Sequence, residues 1–194
     1  MSHPAMGRRP VPLHIITMIA LIDWWETDRP SFEGERCLAD AAEANCSEAS
    51  AHAIARLFVL HAAAAAMRDG ETVQKRYEAG PYVAALIAID DGEAGALWEC
   101  LAAIRLNDIT CLASRLLEVA GLCARRNAPQ TGRGFAELSY EAALATGEWE
   151  LAHYAALLLE RLAELDESPA SAERWARRAE VHARRMKRRS KLRL

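Results

Sequence analysis

Residues 141–165 read EAALATGEWELAHYAALLLERLAEL. Two stretches rich in Ala and Leu meet at Gly147, with room between them only for a tight turn. Ala and Leu lose little side-chain entropy in a helix, so each stretch reads as a helix, and Gly lets the chain reverse between them. The rest of the sequence follows the same composition. Hydrophobic residues are 52% of the 194-residue chain, which argues against disorder. No run alternates like a strand for more than a few residues. The expectation is an all-α fold class, one domain with an appended arm.

Around this stretch, helices fit Glu93–Leu106, Ile109–Arg126, Phe135–Thr146, Glu148–Leu165 and Pro169–Arg189. Asn107-Asp108 ends one helix and caps the next. Ser168-Pro169 is a strong start, because Ser caps and Pro is tolerated at the first helical position. Residues 127–134, NAPQTGRG, read as the longest polar, breaker-rich loop. Toward the N-terminus, helices are expected over Leu13–Glu26 and Phe32–Ala44. Another runs from a capping box, Asn45-Cys46-Ser47-Glu48 with Asn45 as the cap and the start open by one turn, to Arg68. A short helix covers Glu71–Ala79. Tyr82–Ile89 has the length of a strand but helical surroundings, and is read as helix.

The joining turns are very short, which makes neighbouring helices antiparallel. Three turns look alike: Arg68-Asp69-Gly70-Glu71, Leu106-Asn107-Asp108-Ile109 and Thr146-Gly147-Glu148-Trp149. Gly70 to Asn107 is 37 residues and Asn107 to Gly147 is 40, a spacing that suits repeated helix pairs.

Gly147-Glu148-Trp149-Glu150-Leu151-Ala152 resembles the inter-helix turn of a tetratricopeptide repeat (TPR), with Tyr140 and Ala143 at its packing positions on the preceding helix. The match is best over 135–169 and looser over 93–126. Pro169 comes about five residues later than the family's terminating Pro, and Leu112 stands where Ala is expected. The resemblance implies antiparallel helical hairpins stacked as a short TPR-like array over 93–169, with a concave face that binds a protein partner. It implies an adaptor, chaperone or regulatory subunit rather than an enzyme, without a cofactor. The last helix would be the C-terminal cap, docking by a stripe of Trp175, Ala179, His182 and Met186.

Charge divides the chain. Residues 173–194 hold ten Lys and Arg and two Glu, a balance of +8; the other 14 basic and 25 acidic residues leave −11 before them. The division is a single all-helical domain over 1–172 and a basic C-terminal helix over 173–194. The basic segment either docks on the acidic body or contacts nucleic acid through Arg174, Arg177, Arg178, Arg184, Arg185, Lys187, Arg188, Arg189, Lys191 and Arg193. Adjacent Trp24 and Trp25 point about 100° apart on a helix, so one can pack inward while the other meets a partner.

Other chemistry is sparse. Glu150 and His153 share a helix face, but a second Glu-x-x-His, which a di-iron bundle needs, does not occur. His52 and His61 lie on opposite sides of one expected helix. The five cysteines, at 37, 46, 100, 111 and 123, show no Cys-x-x-Cys spacing and read as buried thiols of a cytoplasmic protein. Val11–Ile22 is too short for a bilayer, which needs ~20 residues, and no small-x-small cleavage site follows it, so it reads as a buried first helix.

Overall fold

A computed structural model of the chain describes residues 46–54, 56, 57 and 91–191, and every regular element among them is helical. Residues 48–54 and 56–57 form a short helical segment. Five helices follow it: α1 (Asp91–Arg105), α2 (Ile109–Arg125), α3 (Pro129–Thr146), α4 (Trp149–Leu165) and α5 (Pro169–Lys191). Each packs on the next, and α2 also packs on α4. The expected helices before residue 46 and over 71–89, the turn at Gly70, Trp24, Trp25, His61 and Arg193 all lie outside the described residues.

The four turns are built alike. Asn107, Asn127, Gly147 and Glu167 all have positive φ, at 51°, 56°, 78° and 52°, and each is 20 residues from the next (127 − 107, 147 − 127, 167 − 147). After each comes an amide that bonds the carbonyl five residues back: Asp108 to Ala103 (3.0 Å), Ala128 to Cys123 (3.0 Å), Glu148 to Ala143 (2.9 Å) and Ser168 to Ala163 (2.8 Å). The left-handed residue itself donates three residues back in every turn. This is the Schellman closure of a helix C-terminus, which satisfies carbonyls that lack a helical partner. A left-handed conformation strains most side chains, and Gly147 adopts it freely.

The interior keeps the same period. Leu112, Gly132 and Ala152 are buried, as are Val119, Ser139, Leu159 and Ala179. The core centre is aliphatic, with Leu97, Leu101, Leu112, Leu116, Leu138 and Leu159 at 1% exposure or less. Truncating one such leucine costs roughly 2–5 kcal/mol, since the cavity refills only in part. Buried Ser139 donates from Oγ to the Ala113 carbonyl at 2.6 Å, tying α3 to α2. Cys100 is buried between α1 and its neighbours. Burial, with Glu118 second, pushes its thiol up from 9.0 to about 12.

Two expectations are corrected. Residues 129–134 are the first turns of α3, not a loop. Pro129 occupies the first helical position, where its missing N–H costs nothing. The glycines serve close packing instead. A Cβ on Gly132 would lie 3.0 Å from Cys123 Cβ and 3.2 Å from both the Ala120 carbonyl oxygen and Leu162 Cδ2. One on Gly134 would fall 1.9 Å from the Ala49 carbonyl oxygen. Only glycine lets α3 nest between α2 and α4 and also meet the 48–57 segment.

The second correction concerns the cap of that segment. Ser47 fills the role, its Oγ accepting the Ser50 amide at 3.1 Å, and the helix begins at residue 48, within the turn that the sequence left open. Ser47 and Ser50 both donate to Glu137 on α3, and Glu137 accepts from Arg133 Nε at 3.0 Å. A cap side chain that also reaches α3 explains the choice of Ser47.

Candidate binding groove

Along α3, Arg133, Glu137, Tyr140, Glu141 and Leu144 fall at i, i+4, i+7, i+8 and i+11, one face of a helix. Along α5, Arg174, Trp175, Arg178, Val181, His182 and Arg185 do the same. These faces, with Ser47, line a groove of about 680 Å³. Its floor is a ring cluster. Tyr140 Oη and His182 Nε2 share a buried hydrogen bond of 3.0 Å, whose donor depends on the imidazole tautomer. Trp175 meets Tyr140 edge to face at 5.2 Å, and Trp149 from α4 stacks on His182 at 5.9 Å. Such ring pairs add about 0.5–1.5 kcal/mol beyond their burial.

The docking stripe expected for the last helix is present: Trp175, Ala179 and His182 are 4%, 2% and 3% exposed, and Met186 is half-buried. α5 is continuous across residue 173, and its buried residues Trp175, Ala179 and His182 follow that point. His153 donates from Nδ1 to the Ala179 carbonyl at 3.0 Å, joining α4 to α5. Its neighbour Glu150 is exposed in the first turn of α4. Among the described residues, no group of three or more His, Cys, Asp and Glu could hold a metal ion.

The basic residues of α5 separate into two kinds. Arg177 pairs with Glu173, and Arg184 with Glu180, each one helical turn back along the helix. Arg178 and Arg185 lie against aromatic faces. The Arg178 guanidinium is 4.4 Å from the Trp175 ring centre and 5.8 Å from Tyr140, and that of Arg185 is 4.9 Å from Trp149. Arg174 lies 5.7 Å from Trp175 and donates to Ser171 Oγ at 3.3 Å. Lys187 and Arg188 are exposed further along, and Arg189 and Lys191 lie in the last turn of α5.

Sequence reasoning placed the aromatic packing positions but missed the groove. Its α3 wall begins in the stretch read as a loop, so Arg133, Glu137 and Tyr140 were not on one continuous helix. The i, i+4, i+7 spacing from Arg133 was the available signal. Among the described residues, no helix is long and apolar enough to cross a membrane. Comparison with family models, with curated proteins and with solved structures finds no match.

Proposed function

We propose that the chain is a non-enzymatic protein-interaction module, an adaptor, chaperone or regulatory subunit, whose helical-repeat surface holds a protein partner in the α3–α5 groove. The observation that supports this most is the groove's make-up. It has an aromatic floor, an apolar side chain exposed at its edge (Val181, 47% exposed) and arginines around it. Aromatic and Arg side chains in a concavity are what protein interfaces favour. The finer arrangement proposed is the TPR-like one, antiparallel hairpins in a stack with α5 as its cap. Turns at 20-residue intervals support a repeat. A pair of such helices takes 40 residues, longer than the ~34 of a TPR, so the likeness is one of architecture. The cytoplasmic compartment is part of this reading and rests on the cysteine usage.

A second reading has its own support. Arg174, Arg177, Arg178, Arg184, Arg185, Lys187 and Arg188 are all exposed, a basic surface that nucleic acid could use.

One pull-down from native lysate separates the two, run with and without nuclease at high salt, using the full chain and a Val181→Arg variant that fills the groove from an exposed position. A protein retained after nuclease and lost with Val181→Arg is the expected result. Recovery that vanishes with nuclease and is indifferent to Val181→Arg would replace the first reading by the second. Truncation after Glu173 is unsuitable for this purpose, because it removes Trp175, Ala179 and His182 from the core.

A further inference from the structure

The arginine pairs on α5 are offset by one residue and differ in kind. Arg177 and Arg184 have carboxylate partners. Arg178 and Arg185 have ring faces behind them and, among the described residues, no carboxylate within ion-pair distance. A ring face holds a guanidinium in place but leaves its in-plane N–H donors unused. An ordered guanidinium with free donors suits a carboxylate, because little entropy is lost when the two-bond pair forms. We infer that the α3–α5 groove takes an acidic peptide segment, with Arg178 and Arg185 each binding one side-chain carboxylate. This deepens the protein-interaction reading and rests on it.

Geometry narrows the ligand. Seven helical residues separate the two arginines, about 10 Å along the axis. A peptide in the polyproline II conformation rises ~3.1 Å per residue and turns once every three residues, so side chains three apart stand on one face about 9 Å from each other. The carboxylates therefore belong at positions i and i+3. Between the arginines on the α5 wall stands exposed Val181, so an apolar residue suits the space between the two acids. The lining carries five arginines against Glu137 and Glu141, a balance of 5 − 2 = +3 with histidine neutral. Both glutamates lie on the α3 wall. A polyanion with a charge at every residue would meet them, whereas a ligand with two spaced carboxylates along α5 would not. This favours a peptide over a nucleic acid strand.

The test is fluorescence anisotropy on the full chain with labelled nine-residue peptides, acetylated and amidated so that no terminal carboxylate is present. One set carries Glu at i and i+3 around Leu, a second carries Gln at both, and a third carries Glu at i and i+1. The first set should bind at least about tenfold more tightly than the other two. Arg178→Gln and Arg185→Gln should each cost it about fivefold or more, whereas Arg184→Gln and Arg188→Gln, at exposed positions outside the groove lining, should leave it within about twofold. Equal binding of the Gln peptides in a manner sensitive to Val181→Arg overturns the acidic ligand and keeps the protein-interaction reading. If no set binds while a labelled single-stranded oligonucleotide does, and all four arginine variants weaken it alike, both are overturned.

Discussion

α2 and α4 are two helices apart in sequence and pack directly; α3 and α5 are also two apart and meet mainly through side chains. The difference lies in the residues between them. Near the first pair sit Ala120, Cys123, Ala152, Ala155 and Ala156, small enough for close approach, with Gly132 of α3 nested at Cys123 and Leu162. Between the second pair sit Tyr140, Trp175 and His182, large and partly polar. Small residues let α2 and α4 come into direct contact. Rings hold the other pair apart, and the space they keep open is the groove. The same 20-residue turn thus yields a direct contact and an open groove, by side-chain volume alone.

The largest expected effect tests how dry the core is where α1 packs on α2. The Cys100 thiol is pushed up from 9.0 to about 12. Above pH 9 the unfolded chain releases this proton and the folded chain keeps it, so unfolding gains as pH rises. The stabilising contribution is complete below 9.0 and gone above about 12, roughly 4 kcal/mol across the window. Urea titrations between pH 8 and 11 should show the wild type losing stability faster than Cys100→Ala. Parallel slopes would mean that water reaches the thiol.

Next in size is the contact of α3 with the 48–57 segment. Gly134→Ala puts a methyl group into the Ala49 backbone and should cost about 3 kcal/mol. Gly95→Ala is the control, with nothing within 4 Å of its added Cβ, and should instead gain roughly 0.5–1 kcal/mol from helix propensity. Thermal melts of the two variants should therefore move in opposite directions. On the open side, Tyr140→Phe removes the hydroxyl bonded to His182 and keeps the ring. It should cost about 1–2 kcal/mol in denaturant unfolding.

These residues also show what the sequence could reveal. Four helices of the second half were legible from Ala and Leu content and from punctuation at Asn107-Asp108, Gly147 and Ser168-Pro169. Asp108 does cap α2, accepting the Cys111 amide at 2.9 Å. The 20-residue period was hidden because the left-handed position is held in turn by Asn, Asn, Gly and Glu. Hydrogen bonds to the preceding helix define that position, and three side-chain types can occupy it. Gly132 and Gly134 misled for a related reason. Glycine marks a loop when it frees the backbone and a helix crossing when it removes a Cβ, and only a neighbour such as Ala49 tells the two apart. Arg177 and Arg178 are identical as letters, and only their angle around α5 decides which one reaches a ring.

That angle gives the smallest and sharpest prediction. Exposed pairs such as Arg177–Glu173 contribute little to stability, because water and salt screen them and two long side chains must be ordered. A guanidinium packed on a ring keeps its contact in water and is worth about 0.5–1 kcal/mol. Arg178→Gln and Arg185→Gln should therefore lower stability by about that amount, with little change between low and high salt. Arg177→Gln and Arg184→Gln should stay within about 0.5 kcal/mol of wild type, and any loss should shrink as salt is added. Chemical unfolding of the four variants at two salt concentrations reads this directly. If the members of each adjacent pair behave alike, the aromatic floor does not hold its arginines, and the division of α5 into paired and ring-backed cations has no energetic content.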